Sequence, residues 1–443
     1  MSTPIADFLQ RYAGESMTRF HVPGHKGISF LGCEALDLTE VKGADSLYEA
    51  DGIIAESEAN ATALFGTQRT LYSTEGSSQC IRAMLYLALT HRMEGTPPVI
   101  VAARNVHKAF VYAAALLDFE VVWLWPEDRK SLCACPVSPE QLEQVLANLE
   151  TPPAAVYLTS PDYLGGMAEI PALAEVAHRH GTLLMVDNAH GAYLRFLQLS
   201  LHPLDLGADL CCDSAHKTLP VLTGGAYLHI SNRLPKAYAH DGKSALALFG
   251  STSPSYLTMA SLDLCNRYLE DGYADRLSAR TVQLEQLRSC LRDAGWTVEA
   301  SDPLRITLRA PEGLTGFALA ERLRQQRIEC EYADDSYLVL MVTPENPDED
   351  LTKLAAALGE NTASEAGVNR LPAIRSERVC SIRQALFAPH ETVSPEMAQG
   401  RICGAPTVSC PPAIPIAVSG ERISPEMVEW FRHCGVREIN VLK

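Results

Sequence analysis

The sequence predicts an α/β protein, with a large domain built on a mainly parallel sheet flanked by helices and a smaller α+β domain after it. Three observations carry this. Short apolar runs in the first half are continuous rather than alternating, as in strands buried on both faces. Helical stretches lie between them, as parallel strands require. After residue 261 the pattern changes to longer helical stretches with isolated strands.

Taken in order, residues 1–58 are rich in Gly and charge and show little periodicity, so an arm is expected, packed on the body or on a partner subunit. The large domain is placed at 59–261 and the C-terminal α+β region at 262–443. Ala59–Phe65 reads as helix, and Gln79–Met93 as a stronger one with Ile81, Met84, Leu85 and Ala88 on one side. The strands are Pro98–Ala103, Val121–Trp125, Ala154–Leu158 and Thr182–Val186. Pro171–His180 supplies a crossover helix, ended by Gly181. Beyond residue 261 follow one long helical stretch, Leu262–Ala294, then strand-like Trp296–Glu299 and Leu304–Leu308. A helix at Gly316–Gln326 and a strand at Leu338–Val342 come next, and Pro411, Pro412 and Pro415 mark a packed tail.

Composition narrows the function. A net charge of −17 over 443 residues, with no Lys/Arg-rich run, argues against nucleic acid as a partner. No stretch approaches the roughly 20 apolar residues of a membrane span. Met1–Arg11 lacks the basic and apolar regions of a secretory signal, so a cytoplasmic location is expected. Of 13 cysteines, the pairs Cys133/Cys135 and Cys211/Cys212 lack a second cluster at zinc-ligand spacing. Reduced thiols and no metal site are expected.

Catalytic side chains in α/β sheets gather at the carboxyl ends of strands, and four such ends are unusually polar. Asp187 closes an apolar run, and a buried carboxylate needs a cation or donor. The protonated pyridine nitrogen of pyridoxal phosphate is such a cation, and an aspartate beside it keeps the ring an electron sink; a plain turn cap is the simpler alternative. Thirty residues later, Lys217 follows Asp213-Ser214-Ala215-His216 and precedes Thr223-Gly224-Gly225. That setting suits an imine with an aldehyde, and Ser214 and His216 are within reach of its phosphate. Ser73-Thr74-Glu75-Gly76-Ser77-Ser78 opens the Gln79 helix, where backbone N–H groups and hydroxyls form an anion cup or an ordinary N-cap. Arg104-Asn105-Val106-His107 ends the first strand run, and a histidine there could stack on the pyridine ring or cap a helix.

Together these stretches resemble the bacterial ornithine/lysine/arginine decarboxylases of pyridoxal-phosphate fold-type I. The likeness rests on Phe20-His21-Val22-Pro23-Gly24-His25-Lys26-Gly27, Arg104–Lys108, Asp187–Gly191 and Ser214–Pro220, and spans nearly the whole chain. Ser251–Tyr256, Gly400-Arg401-Ile402, Cys410–Pro415 and Gly420-Glu421 also fit. The resemblance implies the aspartate aminotransferase-like fold in its short form, without an N-terminal wing domain. It implies that Lys217 carries the cofactor, Asp187 pairs with the pyridine nitrogen and His107 stacks on the ring. Gly76, Ser77, Ser78, Ser214, His216 and His190 complete the cofactor set in this chain. Thr252 and Ser253 match a stretch that reaches the phosphate of the neighbouring subunit, which implies a homodimer with shared sites and leaves higher oligomers open. Glu331 falls where the family places an acidic residue near the substrate. The chain departs from the family at Asn188 (usually Glu), Tyr193 (often His), Gly224 (usually Gln) and Cys410 (usually Tyr).

The implied reaction is decarboxylation of a basic amino acid, arginine or lysine before ornithine. An acidic group such as Glu331 would then select the distal cation. Two alternatives stand beside it. An aminotransferase or other lyase of the same fold would use Arg401 or Arg422 to grip the substrate carboxylate. A non-catalytic regulator would bind the cofactor and turn nothing over.

Overall fold

The computed structural model describes residues 1–126, 131–299, 302–361, 372, 374–408 and 412–443. Further helices and strands follow between Asp348 and Leu442; in chain order up to residue 341 the helices are α1 (Pro4–Gly14), α2 (Ile53–Phe65), α3 (Ser77–Thr90), α4 (Lys108–Leu117), α5 (Pro139–Ala147), α6 (Ile170–Arg179), α7 (Ala215–Thr218), α8 (Lys236–Ala247), α9 (Tyr256–Glu270), α10 (Tyr273–Asp293) and α11 (Gly316–Gln325). The strands are β1 (Arg69–Ser73), β2 (Val99–Ala103), β3 (Glu120–Leu124), β4 (Ala155–Thr159), β5 (Leu183–Asp187), β6 (Leu210–Asp213), β7 (Ala226–Ile230), β8 (Val298–Glu299), β9 (Arg305–Arg309), β10 (Tyr332–Ala333) and β11 (Tyr337–Met341). The chain divides into two compact units, residues 1–96 with 170–276 and residues 97–169 with 277–443.

In the first unit the strand order is β1-β7-β6-β5. Strands β5 and β6 are parallel, with Asp187 opposite Cys212, and β7 runs antiparallel to both β6 and β1. All residues of β6 and β7 are buried, Asp213 and His229 among them. Helix α3 packs across these strands and presents its N-terminus where β1 ends.

Two expectations are corrected here. The opening segment contains α1, whose Ile5, Ala6, Phe8 and Leu9 are buried, and α2 starts at Ile53. Asp263 of α9 holds the start of α1 by accepting the Ile5 and Ala6 N–H groups at 2.9 and 3.0 Å, which satisfies donors that a helix start leaves open. The single long helix read over Leu262–Ala294 is two helices, broken at Asp271-Gly272, a turn-forming pair that periodicity does not register.

In the second unit β2 lies between β3 and β4, parallel to both. Strand β3 pairs with β2 alone among the described residues and is half-buried except at Leu124. Its continuous apolar run therefore marks an edge strand rather than one covered on both faces. A separate antiparallel sheet runs β10-β11-β9-β8. Arg104, at the end of β2, is fully buried and reaches the C-terminal part of the same unit. Its guanidinium donates to the Pro415 and Ile416 carbonyls at 2.9 and 3.2 Å and meets Glu421 at 3.1 Å. It also stacks near Trp123 and Trp125, with ring centroids 5.2 and 5.3 Å away. Two of the family-like stretches, Arg104-Asn105 and Gly420-Glu421, thus form a clamp 317 positions apart. No helix among the described residues is long and apolar enough to cross a membrane.

Candidate active site

The first unit brings the principal candidate residues together. Parallel pairing of β5 with β6 puts the Asp187 end of one strand next to the Asp213 end of the other. The chain then turns through Ser214 into α7, which carries His216 and Lys217. Asp187 is buried. Its Oδ1 accepts the Ala189 N–H at 3.2 Å and the Cys212 thiol at 3.6 Å. Burial pushes the Cys211 and Cys212 thiols well above their ordinary range, so they stay protonated and act as donors. Lys217 Nζ lies 2.9 Å from His190 Nε2, and His190 is itself buried. The sequence pair Asp187/Lys217 and the neighbouring His190 are therefore parts of one cluster.

Beyond the strand ends, hydroxyls and a helix start form a cup of hydrogen-bond donors. Ser214 donates its hydroxyl to Ser77 Oγ at 2.9 Å, joining the Lys217 turn to the first residue of α3. No side chain caps α3, whose N-cap residue is Gly76, so the opening of a 14-residue helix offers backbone N–H groups with the Ser77 and Ser78 hydroxyls beside them. The Gly76 N–H donates to the Gly224 carbonyl at 2.7 Å, pinning the two loops of the cup. Gly224 has φ +96, and a Cβ there would stand 2.7 Å from the Thr74 carbonyl oxygen. The Gln that the resemblance leads one to expect at 224 does not fit this backbone, and glycine does.

His216 Nδ1 donates to the Gly225 carbonyl at 3.0 Å. Burial lowers the His216 pKa, and Lys217 lowers it further. With Nδ1 committed, only the imidazolium form offers an Nε2–H to a phosphate, so an anion in the cup and a proton on His216 would favour each other. This donor set fits pyridoxal phosphate: a helix start and hydroxyls for the phosphate, an amine for the aldehyde and a buried carboxylate for the ring nitrogen.

The remaining candidates fall on a surface loop of the first unit or within the second unit. Thr252 and Ser253 are exposed, on a loop tied to the cup's edge by the Ser251 N–H bond to the Glu75 carboxylate. In the second unit His107 is the N-cap of α4, where its Nδ1 accepts the Ala109 N–H at 3.2 Å; the capping role weighed from the sequence is realised. Glu331 is exposed and accepts the Tyr163 hydroxyl at 2.7 Å. Burial and the Glu331 charge both raise the Tyr163 pKa, which keeps that donor protonated. Tyr163 packs edge-on against Tyr332, whose hydroxyl donates to Asp334 at 2.9 Å. Arg401 is bound to Glu391 and the Leu442 carbonyl, and Arg422 to Glu377 and the Gly400 carbonyl. Cys410 and Pro411 lie outside the described residues.

Sequence reasoning missed three contributors. Tyr163 stands 168 positions from Glu331, and His202 and His229 stand 11 and 16 positions from the Asp213 that they contact. Only Asp213, as the last residue of an apolar strand, carried a signal of the kind that singled out Asp187.

A family model described as "Orn/Lys/Arg decarboxylase, major domain" matches residues 3–310. The chain is 29% identical to an arginine decarboxylase of Bacillus subtilis (strain 168), covering 97% of this chain and 93% of that protein. It is 28% identical to an arginine decarboxylase of Bacillus anthracis, covering 97% and 92%. Among solved structures, the lysine decarboxylase of Francisella novicida superposes with a TM-score of 0.82 at 16% identity, over 100% of this chain and 81% of that one. An alanine–glyoxylate aminotransferase from Nostoc shares the fold more distantly, with a TM-score of 0.54 at 19% identity over 69% of this chain and 85% of that one.

Proposed function

The chain belongs to the Orn/Lys/Arg decarboxylase family, a family of pyridoxal-phosphate enzymes that decarboxylate basic amino acids, and from that premise we propose that its substrate is arginine, with lysine second and ornithine third. The observation that carries the chemistry is the meeting of Asp187, Lys217 and the Ser77/Ser214 cup at neighbouring strand ends in one unit. The first place given to arginine is supported by relatives named arginine decarboxylases, 28 and 29% identical over 97% of the chain.

When bound, pyridoxal phosphate supplies a sink for the electron pair left as the Cα–carboxylate bond breaks. The protein's part is to hold, orient and select. Lys217 anchors the cofactor through Nζ, and His190 beside it can take or return the proton that the amine exchanges. Asp187 holds a proton on the ring nitrogen, because a buried carboxylate favours a cation next to it. Ser77, Ser78, Ser214, His216 and the Gly76 turn hold the phosphate. We assign His107 to the ring face on the strength of its motif. Glu331, fixed by Tyr163, pairs with the distal guanidinium or ammonium of the substrate. The aminotransferase alternative loses support because Arg401 and Arg422 already have carboxylate partners.

The test is release of CO2 and amine from arginine, lysine and ornithine. Arginine should give the highest kcat/KM, and Glu331→Gln should lower that value by about tenfold or more while leaving cofactor binding intact. Full cofactor binding with no turnover of any of the three would sink the reading in favour of a regulator.

We further propose a homodimer in the cytoplasm. Phe20, Phe30 and Leu31 are 93%, 77% and 89% exposed in a single chain, an apolar surface of the kind that a partner covers. Thr252 and Ser253, exposed here, would serve the neighbouring subunit's phosphate. The described cysteines are all free, in keeping with a reducing compartment. Sedimentation should give about twice the 48.3 kDa chain mass or a multiple of it. A fully active monomer would overturn the shared site.

A further inference from the structure

The residue after Asp187 and the residue before Ser214 are bonded to each other. Asn188 donates from Nδ2 to Asp213 Oδ1 at 2.7 Å, and both residues are fully buried. Asp213 Oδ2 accepts from His202 Nε2 at 3.2 Å and from His229 Nε2 at 3.0 Å. The tautomers follow from the far side of each ring. The Leu204 N–H points at His202 Nδ1 at 3.4 Å, and the Thr70 hydroxyl stands 2.9 Å from His229 Nδ1. Both imidazoles therefore have Nε2 placed to donate to the carboxylate.

Burial alone would raise the Asp213 pKa, but the two histidines hold it well below the usual carboxylate range. Burial lowers that of His229. Asp213 is thus a buried anion fully supplied with donors, and no lysine or arginine pairs with it among the described residues. The adjacent thiols of Cys211 and Cys212 touch Asp213 and Asp187 respectively, at 3.7 and 3.6 Å. Where the family resemblance leads one to expect a glutamate at 188, this chain has an amide, and its carboxylate stands instead on the neighbouring strand end.

We propose that Asp213 is a positioning residue for the cofactor site, clasping the Asp187 strand end to the Lys217 turn through Asn188. The proposal rests on the decarboxylase reading above. It makes the Asn188/Asp213 pair, rather than either residue alone, the unit on which the site depends. The pair is also reversible in principle. Exchanging acid and amide leaves one carboxylate, one amide N–H between them, and an amide oxygen to receive the two histidines.

That reversibility gives the test. The variants Asn188→Asp, Asp213→Asn and the double exchange Asn188→Asp/Asp213→Asn are titrated as apo-proteins with pyridoxal phosphate. Affinity, the balance of the bound cofactor's visible absorbance bands at fixed pH, and the apo-protein Tm are read together. Each single variant should bind the cofactor about tenfold or more weakly, because a buried charged hydrogen bond is broken or two carboxylates are opposed. The balance of its absorbance bands should also change, because Asp187 and the Lys217 turn no longer keep their parent positions. The double exchange should return to within about threefold of the parent affinity, with the parent absorbance restored.

Parent affinity and spectrum in Asp213→Asn, or a double variant no better than the worse single, would overturn the proposal. Should Asp213→Asn fail to fold, Asn188→Ala decides, because it removes the clasp and leaves the histidine contacts in place; unchanged affinity and absorbance there would also overturn it. His202, Cys211 and Asp213 hold ligand-type atoms within 4.8 Å of one another, so stoichiometric zinc in the purified protein, lost in Asp213→Asn, would replace this account with a metal site. A parent chain that binds no pyridoxal phosphate would overturn both this proposal and the decarboxylase reading, whereas unchanged variants on an active parent overturn this one alone.

Discussion

Lys217→Ala is expected to lose the visible absorbance of lysine-attached pyridoxal phosphate and to lower turnover by at least about a thousandfold, the scale on which enzymes respond to removal of a covalent catalytic group. The substitution deletes the amine that stands beside His190 in the Asp187 cluster. His190, whose Nε2 lies 2.9 Å from Nζ, cannot form the same bond to the aldehyde. The cup is built from other residues, Ser77, Ser214 and the α3 N-terminus, so the variant should still take up the cofactor without attaching to it. Equilibrium dialysis and the absorbance spectrum separate these two effects. Parent-like turnover in Lys217→Ala would remove the lysine from the mechanism. Loss of all cofactor binding would mean that the cup alone does not hold the phosphate.

Arg104→Ala is the largest stability effect expected. The guanidinium is fully buried and is shared by two carbonyls, Glu421 and two tryptophan rings. Removing it strands the Glu421 carboxylate in the interior, where the Val418 N–H at 2.8 Å is its remaining hydrogen-bond partner among the described residues. Breaking a buried pair from one side costs about 3–5 kcal/mol, against a total stability of about 5–15 kcal/mol for an ordinary domain. Chemical denaturation should show this as an early transition. The double variant Arg104→Met/Glu421→Gln should recover part of the loss, because no uncompensated charge then remains. A loss below about 1 kcal/mol in Arg104→Ala would show that the clamp is not under load.

The Arg104 clamp also shows what the sequence could and could not disclose. Arg104 and Glu421 were noticed as family-like residues without a role, and no local rule connects positions so far apart. The α/β alternation was legible because strands β2, β4 and β5 are continuous apolar runs and α6 ends at a glycine, both local signals. Asp187 and Lys217 were legible for a related reason: each is a charged residue where an apolar strand stops or has just stopped. Helix α1 has local signals of its own, Ile5, Phe8 and Leu9 at helical spacing behind Pro4, but the Gly-rich, aperiodic stretch that follows masks them. The Asp213 network was invisible for a different reason. Its partners reach it from a loop and from an antiparallel strand, through side-chain geometry that only folding creates.

The parallel register of β5 and β6 carries one last implication. Asp187 and the Lys217 turn are neighbours because Asp187 faces Cys212 across a strand pair, whatever the length of chain that joins the two. The thirty-residue interval is a property of the connecting excursion through residues 188–209 and has no catalytic meaning of its own. Extra residues spliced into the surface part of that excursion, at exposed Leu199 for instance, would change the interval and leave the chemistry in place. Pattern searches keyed to the interval would overlook such proteins, whereas searches keyed to the two strand endings would find them.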